Sequence, residues 1–260
     1  MTILEKIIET KKNEVEQRKQ EVGVDNLVNY AAYNRRCNSL KINLLKNHSS
    51  GIIAEFKKKS PSKGDINVAA NVEKITKKYV EAGVAGISIL TDIEYFGGTL
   101  EDLLKARSAN PGIPILRKDF IIDEYQVIEA KAFGADVILL IAANLETNQA
   151  VFLAKKAKSL GMEVLMEIHN SKELKMINDY VDIVGVNNRN LKTFKTDVET
   201  SVKLAALIPH RYIKISESGI EKPETIQYLR EKGFRGFLIG ETFMRTEDPG
   251  EACKNFISEL

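Results

Sequence analysis

Ala132-Phe133-Gly134-Ala135-Asp136-Val137-Ile138-Leu139-Leu140-Ile141 is the stretch that decides the fold. A helical-looking segment closes at Gly134, and the unbroken apolar run Val137–Ile141 follows at once. Glycine just past a helix end takes the left-handed conformation that closes the last turn without a Cβ clash. An apolar run without alternation reads as a strand buried on both faces, as parallel sheets require. The same two signals recur at Glu81-Ala82-Gly83 before Ile87–Leu90, Leu160-Gly161 before Val164–Met166, and Lys232-Gly233 before Phe237–Ile239. The repeat is one of supersecondary pattern rather than of identity.

Working outward from these units predicts strands near 51–56, 86–90, 114–118, 136–141, 163–167, 183–187, 212–216 and 236–239. A helical pattern follows each, near 67–82, 99–109, 123–133, 147–160, 171–180, 196–207, 223–232 and 248–258. Pro223 and Pro249 stand at helix starts, where a missing N–H costs nothing. Strand-to-strand spacings of about 20 to 35 residues leave room for right-handed βαβ crossovers. Eight such units in 260 residues predict an α/β fold, a (β/α)8 TIM barrel, for which about 250 residues is typical. A doubly wound open sheet is the alternative. The chain 1–260 then reads as one barrel domain with residues 1–45 as an N-terminal helical extension.

That extension has capping-box spacing at Thr2-Ile3-Leu4-Glu5 and an apolar stripe at Ile3, Leu4, Ile7, Ile8 and Val15. It predicts one or two extra helices, either closing the barrel's bottom or forming a flap over substrate, and periodicity does not choose. Composition narrows the function classes. No apolar run approaches the roughly 18 residues that span a bilayer, and residues 1–6, with no basic head before an apolar block, lead one to expect no signal peptide. A net charge of +2, with acids and bases interleaved, gives no argument for nucleic acid. Cys37 and Cys253 lie far apart and belong to no metal-ligand or disulfide pattern, so reduced, structural thiols in a cytoplasmic protein are expected.

In such a barrel the chemistry sits where the strands end. The first strand runs through Ile53 into Glu55 and Lys57, which share a face at period two. The third ends at Lys118-Asp119, the fifth at Glu167, the sixth at Asn187-Asn188-Arg189 and the seventh at Glu217-Ser218-Gly219. One such residue alone is commonly a solvated loop residue; charged groups converging from several strands are costly to desolvate unless they pair, which marks a site. Ser218-Gly219 and Gly240-Glu241-Thr242 occupy the two loops where many barrels bind phosphate through exposed backbone N–H groups. His48 and His210 read as structural or exposed, while His169 falls on the same face as Glu167.

Ile53-Ala54-Glu55-Phe56-Lys57-Lys58-Lys59-Ser60-Pro61-Ser62-Lys63-Gly64 closely resembles the signature of indole-3-glycerol-phosphate synthases. The resemblance continues through Tyr95-Phe96-Gly97-Gly98, Leu116-Arg117-Lys118-Asp119-Phe120, Met166-Glu167-Ile168-His169, Gly185-Val186-Asn187-Asn188-Arg189-Asn190-Leu191, Glu217-Ser218-Gly219-Ile220 and Leu238-Ile239-Gly240. It implies ring closure of 1-(2-carboxyphenylamino)-1-deoxyribulose 5-phosphate, with loss of carbon dioxide and water and with no metal or organic cofactor. By the same resemblance Lys118 is the general acid, Glu167 handles proton transfer in the dehydration, Glu55 supports it, and Lys57 meets the carboxylate and shares acid duty. Ser60, Asn187, Arg189 and Glu217 orient substrate, and Phe96, Phe120 and Ile141 pack on its ring. Ser218, Gly219, Gly240 and Glu241 take the phosphate, with the Glu241 side chain expected to turn away from it. The expected partner is a phosphorylated small molecule, not nucleic acid or membrane, and the expected state is a monomer or weak homodimer. The rivals are another phosphosugar barrel such as phosphoribosylanthranilate isomerase, a Schiff-base aldolase using Lys118, and a barrel kept as a binding scaffold. The isomerase would want a thiol or carboxylate base with a carboxylic acid, and neither cysteine ends a strand.

Overall fold

In the computed structural model, which describes residues 2–260, eight parallel strands close into a barrel. In chain order they are β1 (Ile52–Phe56), β2 (Gly86–Leu90), β3 (Ile115–Lys118), β4 (Val137–Ile141), β5 (Glu163–Ile168), β6 (Ile183–Asn187), β7 (Ile213–Glu217) and β8 (Gly236–Ile239). Each pairs with its sequence neighbours and β8 closes on β1, so the open-sheet alternative falls. Gly83, Gly134, Gly161 and Gly233, which set the repeat, have φ between 76° and 90°. This is the left-handed turn their position demands.

Alternation along the strands divides the core in two. Ile52, Ala54 and Phe56 face the shell of helices, whereas Ile53 joins Leu116, Leu139, Leu165, Ile215 and Leu238 inside the barrel. Burying each such side chain contributes about 1.5–3 kcal/mol. Two residues beyond several of these inward positions the chain reaches the mouth, and the side chain there is ionisable. Glu55 follows Ile53, Lys118 follows Leu116, Glu167 follows Leu165 and Glu217 follows Ile215. One period of two therefore fills the barrel and aims its polar groups.

The helical shell comprises Val72–Glu81, Leu100–Ala109, Glu124–Ala132, Thr147–Ser159, Glu199–Ala205, Pro223–Glu231 and Pro249–Ser258. The helix predicted over 171–180 is instead a 3-10 segment, Ser171–Met176. Asn178 ends it, since its side chain donates to the Met176 carbonyl and accepts from the Tyr180 N–H. Such a local turn competes with the helical ladder. A short antiparallel pairing of Lys59–Ser60 with Gly64–Asp65, unforeseen in the sequence, folds the loop after β1 back on itself.

The extension holds three helices rather than one or two, Ile3–Glu21, Val24–Leu27 and Leu40–Leu45. Thr2 and Glu5 form the expected capping box. The helices of the extension sit at opposite ends of the barrel. Leu40 and Leu44 close the floor, packing beside Gly86 and Gly236 at the first residues of β2 and β8. The first helix lies at the mouth, where Ile3, Leu4 and Ile7 line the cavity. A buried ion cluster ties it down. Lys11, fully buried, meets Asp92 and Asp119 at 2.9 Å each and Glu14 at 2.7 Å. Arg117, equally buried, meets Asp119 and Glu129 at 2.9 Å each, and Arg18 reaches Glu129 at 3.2 Å. Burial works against the Lys11 ammonium, but Asp119, Asp92 and Glu14 outweigh it and hold its pKa above the lysine range. Among the described residues no helix is long and apolar enough to cross a membrane.

Candidate active site

Lys118, the last residue of β3, is the centre of the mouth. Its Nζ lies 3.0 Å from Glu167 Oε2 and 3.5 Å from Glu217 Oε2. Burial disfavours the ammonium, yet Glu167, Glu217 and Glu55 raise its pKa well above the lysine range. It therefore stays loaded with a proton at neutral pH.

Its two carboxylate neighbours part company. Glu167 accepts from Asn187 Nδ2 at 3.2 Å, and His169 Nε2 stands 3.2 Å from its Oε1. Burial alone would raise the Glu167 carboxyl, but Lys118 and His169 hold it below the usual range. Glu217 is 1% exposed, and among the described residues neither of its oxygens has a hydrogen-bond partner. Burial, opposed by Lys118 and reinforced by Glu167 and Glu55, pushes it up to about 8. Two carboxyls beside one ammonium do not both ionise cheaply, so one takes the charge and the other the proton. Gly185 makes room for this, because a Cβ there would collide with Glu217 Oε1.

A pH dependence of stability follows. Between the ordinary carboxyl value of 4.5 and about 8, folded Glu217 keeps a proton that the unfolded chain has lost. Stability attributable to this group therefore falls as pH rises through that window. Glu217→Gln removes the penalty, so its Tm is expected to exceed the wild-type Tm at pH 8.5 and to converge with it below pH 4.5, as thermal melts across pH will reveal.

Around this centre the other strands contribute a second ion pair and an apolar wall. Lys57 Nζ lies 2.9 Å from Glu55 Oε1. Phe96 and Phe120, ring centroids 6.1 Å apart, line the same cavity as Ile141 and the first helix. Ser60 lines it too, next to Ser62, which accepts from Arg189 Nη1 at 3.0 Å. A contiguous recess is lined by Ser218, Gly219, Gly240 and Glu241 together with Lys63, Arg189 and Arg245. Ser218 and Gly219 both have positive φ, at 68° and 74°. A serine held there is strained, and such strain gathers at functional sites.

Every residue to which the resemblance gives a role lines this cavity or its recess, whereas Asn188 and His169, also noted at the strand ends, line neither. Glu241 departs from expectation in its orientation. Its carboxylate faces inward, 3.5 Å from both Lys63 Nζ and Arg189 Nη2, because those cations converge on it. Sequence reasoning missed Lys63 and Arg245 as parts of the recess; Lys63 lay within the signature segment, whereas nothing marked Arg245 beyond its place after the last strand. Among the described residues no three His, Cys, Asp or Glu side chains group as metal ligands.

Proton transfer beside an apolar wall, with cations gathered at a distance, places the protein among barrel enzymes that perform acid–base chemistry on small anionic substrates. A family model described as "Indole-3-glycerol phosphate synthase" matches residues 4–256. The chain belongs to the indole-3-glycerol phosphate synthase family, whose members are carbon–carbon lyases of tryptophan biosynthesis.

Several relatives match along nearly the whole chain. An indole-3-glycerol phosphate synthase of Bacteroides thetaiotaomicron is 49% identical, covering 99% of this chain and 98% of that one. One of Salinibacter ruber is 41% identical, covering 100% and 96%. Among solved structures, 3-hexulose-6-phosphate synthase from Salmonella typhimurium superimposes with a TM-score of 0.63 at 11% identity, covering 80% of this chain and 99% of that one. A tryptophan synthase α-subunit variant from Pyrococcus furiosus gives 0.61 at 16% identity, covering 82% and 98%. At such identities the likeness speaks for the barrel alone.

Proposed function

We propose that this chain, working as one barrel domain in the cytoplasm and as a monomer or weak homodimer, converts 1-(2-carboxyphenylamino)-1-deoxyribulose 5-phosphate into indole-3-glycerol phosphate. The observation that carries the assignment of roles is Lys118, an ammonium kept protonated by three carboxylates where the cavity is apolar on one side. The aromatic carbon bearing the carboxylate attacks the substrate ketone as Lys118 protonates the ketone oxygen. A fixed donor in a low-dielectric site stabilises that developing charge more than water does. Loss of carbon dioxide restores the aromatic ring and needs no electron sink. Glu167 then handles proton transfer as the hydroxyl leaves, with Glu55 in support and Lys57 meeting the substrate carboxylate. Phe96 and Phe120 hold the aromatic ring, while Ser60, Asn187, Arg189 and Glu217 orient the substrate. Ser218, Gly219 and Gly240 receive the phosphate among Lys63, Arg189 and Arg245. Binding energy at that remote end holds the sugar chain folded for attack.

The test is fluorescence detection of indole-3-glycerol phosphate formed from the synthetic substrate by purified protein. Turnover is expected; folded protein without turnover would refute the assignment. Borohydride trapping with sugar phosphates addresses the aldolase alternative and is expected to give no adduct. The inward Glu241 supplies a sharper check. Its carboxylate and the phosphate compete for Lys63 and Arg189, so Glu241→Ser is expected to lower KM severalfold with kcat little changed. A raised KM would remove Glu241 from the phosphate site as a competitor.

A further inference from the structure

His169 is a half-buried ionisable group, its side chain 10% exposed, that touches Glu167 and that the reaction above leaves idle. It follows β5, on the same face as Glu167, with Nε2 3.2 Å from Glu167 Oε1 and Nδ1 3.4 Å from Glu173 Oε2. Glu173 also accepts the His169 backbone N–H at 2.7 Å, which fixes the ring from behind. Among the described residues the ring has no other salt-bridge partner. Lys118 on β3 and Glu217 on β7 meet each other and Glu167 instead. The β4 side, Val137–Asn144, is uncharged, and Arg189 beyond β6 is engaged by Ser62 and Glu241. Burial disfavours the imidazolium, but the Glu167 and Glu173 carboxylates beside it prevail and bring its pKa up to about 9.

Proton counting gives this arrangement a purpose, granted the assignment of Lys118 and Glu167 above. The substrate enters with an ionised carboxylate and leaves it as neutral carbon dioxide. The ketone oxygen receives two protons, one to become a hydroxyl and one to depart as water. Only one proton comes back, from the carbon next to nitrogen. Each turnover therefore consumes one proton beyond those the site recovers, and Lys118 supplies only the first. Glu167, held ionised at rest, has none of its own.

We propose that His169 is the proton store for Glu167. Its imidazolium passes the Nε2 proton to Glu167 Oε1 when the dehydration begins, Glu167 delivers that proton to the departing hydroxyl, and the neutral ring regains one proton from solvent after product leaves. The carbon-bound proton returns to the Lys118 amine, so every group regains its starting state and the balance closes at one proton taken up. Transfer to Glu167 becomes favourable at the right moment, because Lys118 has by then given up the charge that kept Glu167 ionised. Glu173 retains the Nδ1 proton and keeps the ring aligned. His169 thus positions and charges Glu167 without touching substrate.

The test compares pH–rate profiles of the wild type, His169→Asn and Glu173→Gln. For His169→Asn we expect kcat to fall at least about tenfold with KM little changed, and added imidazole to restore part of it. For Glu173→Gln, which leaves the ring in place, the alkaline limb of kcat should move down by at least half a pH unit. A His169→Asn enzyme with wild-type kcat and an unmoved alkaline limb, or a Glu173→Gln limb that stays put, would overturn the store and direct attention to Glu217, the other protonated group in reach. Lys118→Ala separates this from failure of the underlying assignment. Its activity should be lost and not rescued by imidazole; if it survives, the roles given to Lys118 and Glu167 fail first.

Discussion

Lys118→Ala is expected to lower kcat by at least about a hundredfold, the usual scale for removing a general acid. Two effects add. The proton donor disappears, and Glu167 and Glu217 lose the cation between them. The amine that takes back the carbon-bound proton is lost as well, so the second half of the reaction suffers with the first. Steady-state kinetics with circular dichroism as a folding check will decide it. A folded variant retaining wild-type kcat would move the acid role to Lys57, whose ammonium pairs with Glu55 at 2.9 Å in the same cavity.

The largest loss of stability is expected from a residue outside the chemistry. Lys11→Met leaves Asp92 and Asp119 buried without their shared cation. Breaking a buried pair from one side costs about 3–5 kcal/mol. At roughly 2–4 °C per kcal/mol for a chain of this size, Tm should drop by on the order of 10 °C. KM should rise as well, since Ile3, Leu4 and Ile7 reach the cavity on the helix that Lys11 anchors. The double variant Lys11→Met/Asp92→Asn should recover part of the Tm, because it removes one of the stranded charges. Calorimetry of the three proteins checks this, and an unchanged Tm in Lys11→Met would mean the helix is held by its apolar stripe alone.

The barrel was legible because its strands are short and apolar and four of them follow glycines that close a helix in a left-handed turn. Val137–Ile141 has no polar member to confuse the period. The segment after β5 misled for the opposite reason: Leu174, Met176 and Ile177 carry a helical spacing, but Asn178 supplies side-chain bonds that end the helix early. For the site, period two along β1, β3, β5 and β7 located Glu55, Lys118, Glu167 and Glu217. What it could not give was how the charges divide. That Glu167 is ionised and Glu217 protonated depends on which oxygens meet Lys118, Asn187 and His169 across strands far apart in sequence. Lys11 was overlooked although it stands four residues from both Ile7 and Val15, in the middle of the buried stripe. A lysine in that register is itself a signal of a partnered charge.

Order of synthesis gives the two-ended embrace of the extension a further meaning. Lys11 waits for Asp92 and Asp119, and Leu44 waits for β8. At ribosomal speeds of about 5–20 residues per second these partners emerge roughly 5–20 s and 10–40 s later. During that interval the first helix is a sticky amphipath with no dock, and the floor has nothing to plug. Barrel closure, floor packing and docking of the first helix thus depend on strands made late, and the nascent chain is exposed to misassociation until nearly all of it has been translated. Conditions or chaperones that shield residues 3–45 during synthesis should therefore raise the yield of folded enzyme more than any aid given to its last strand.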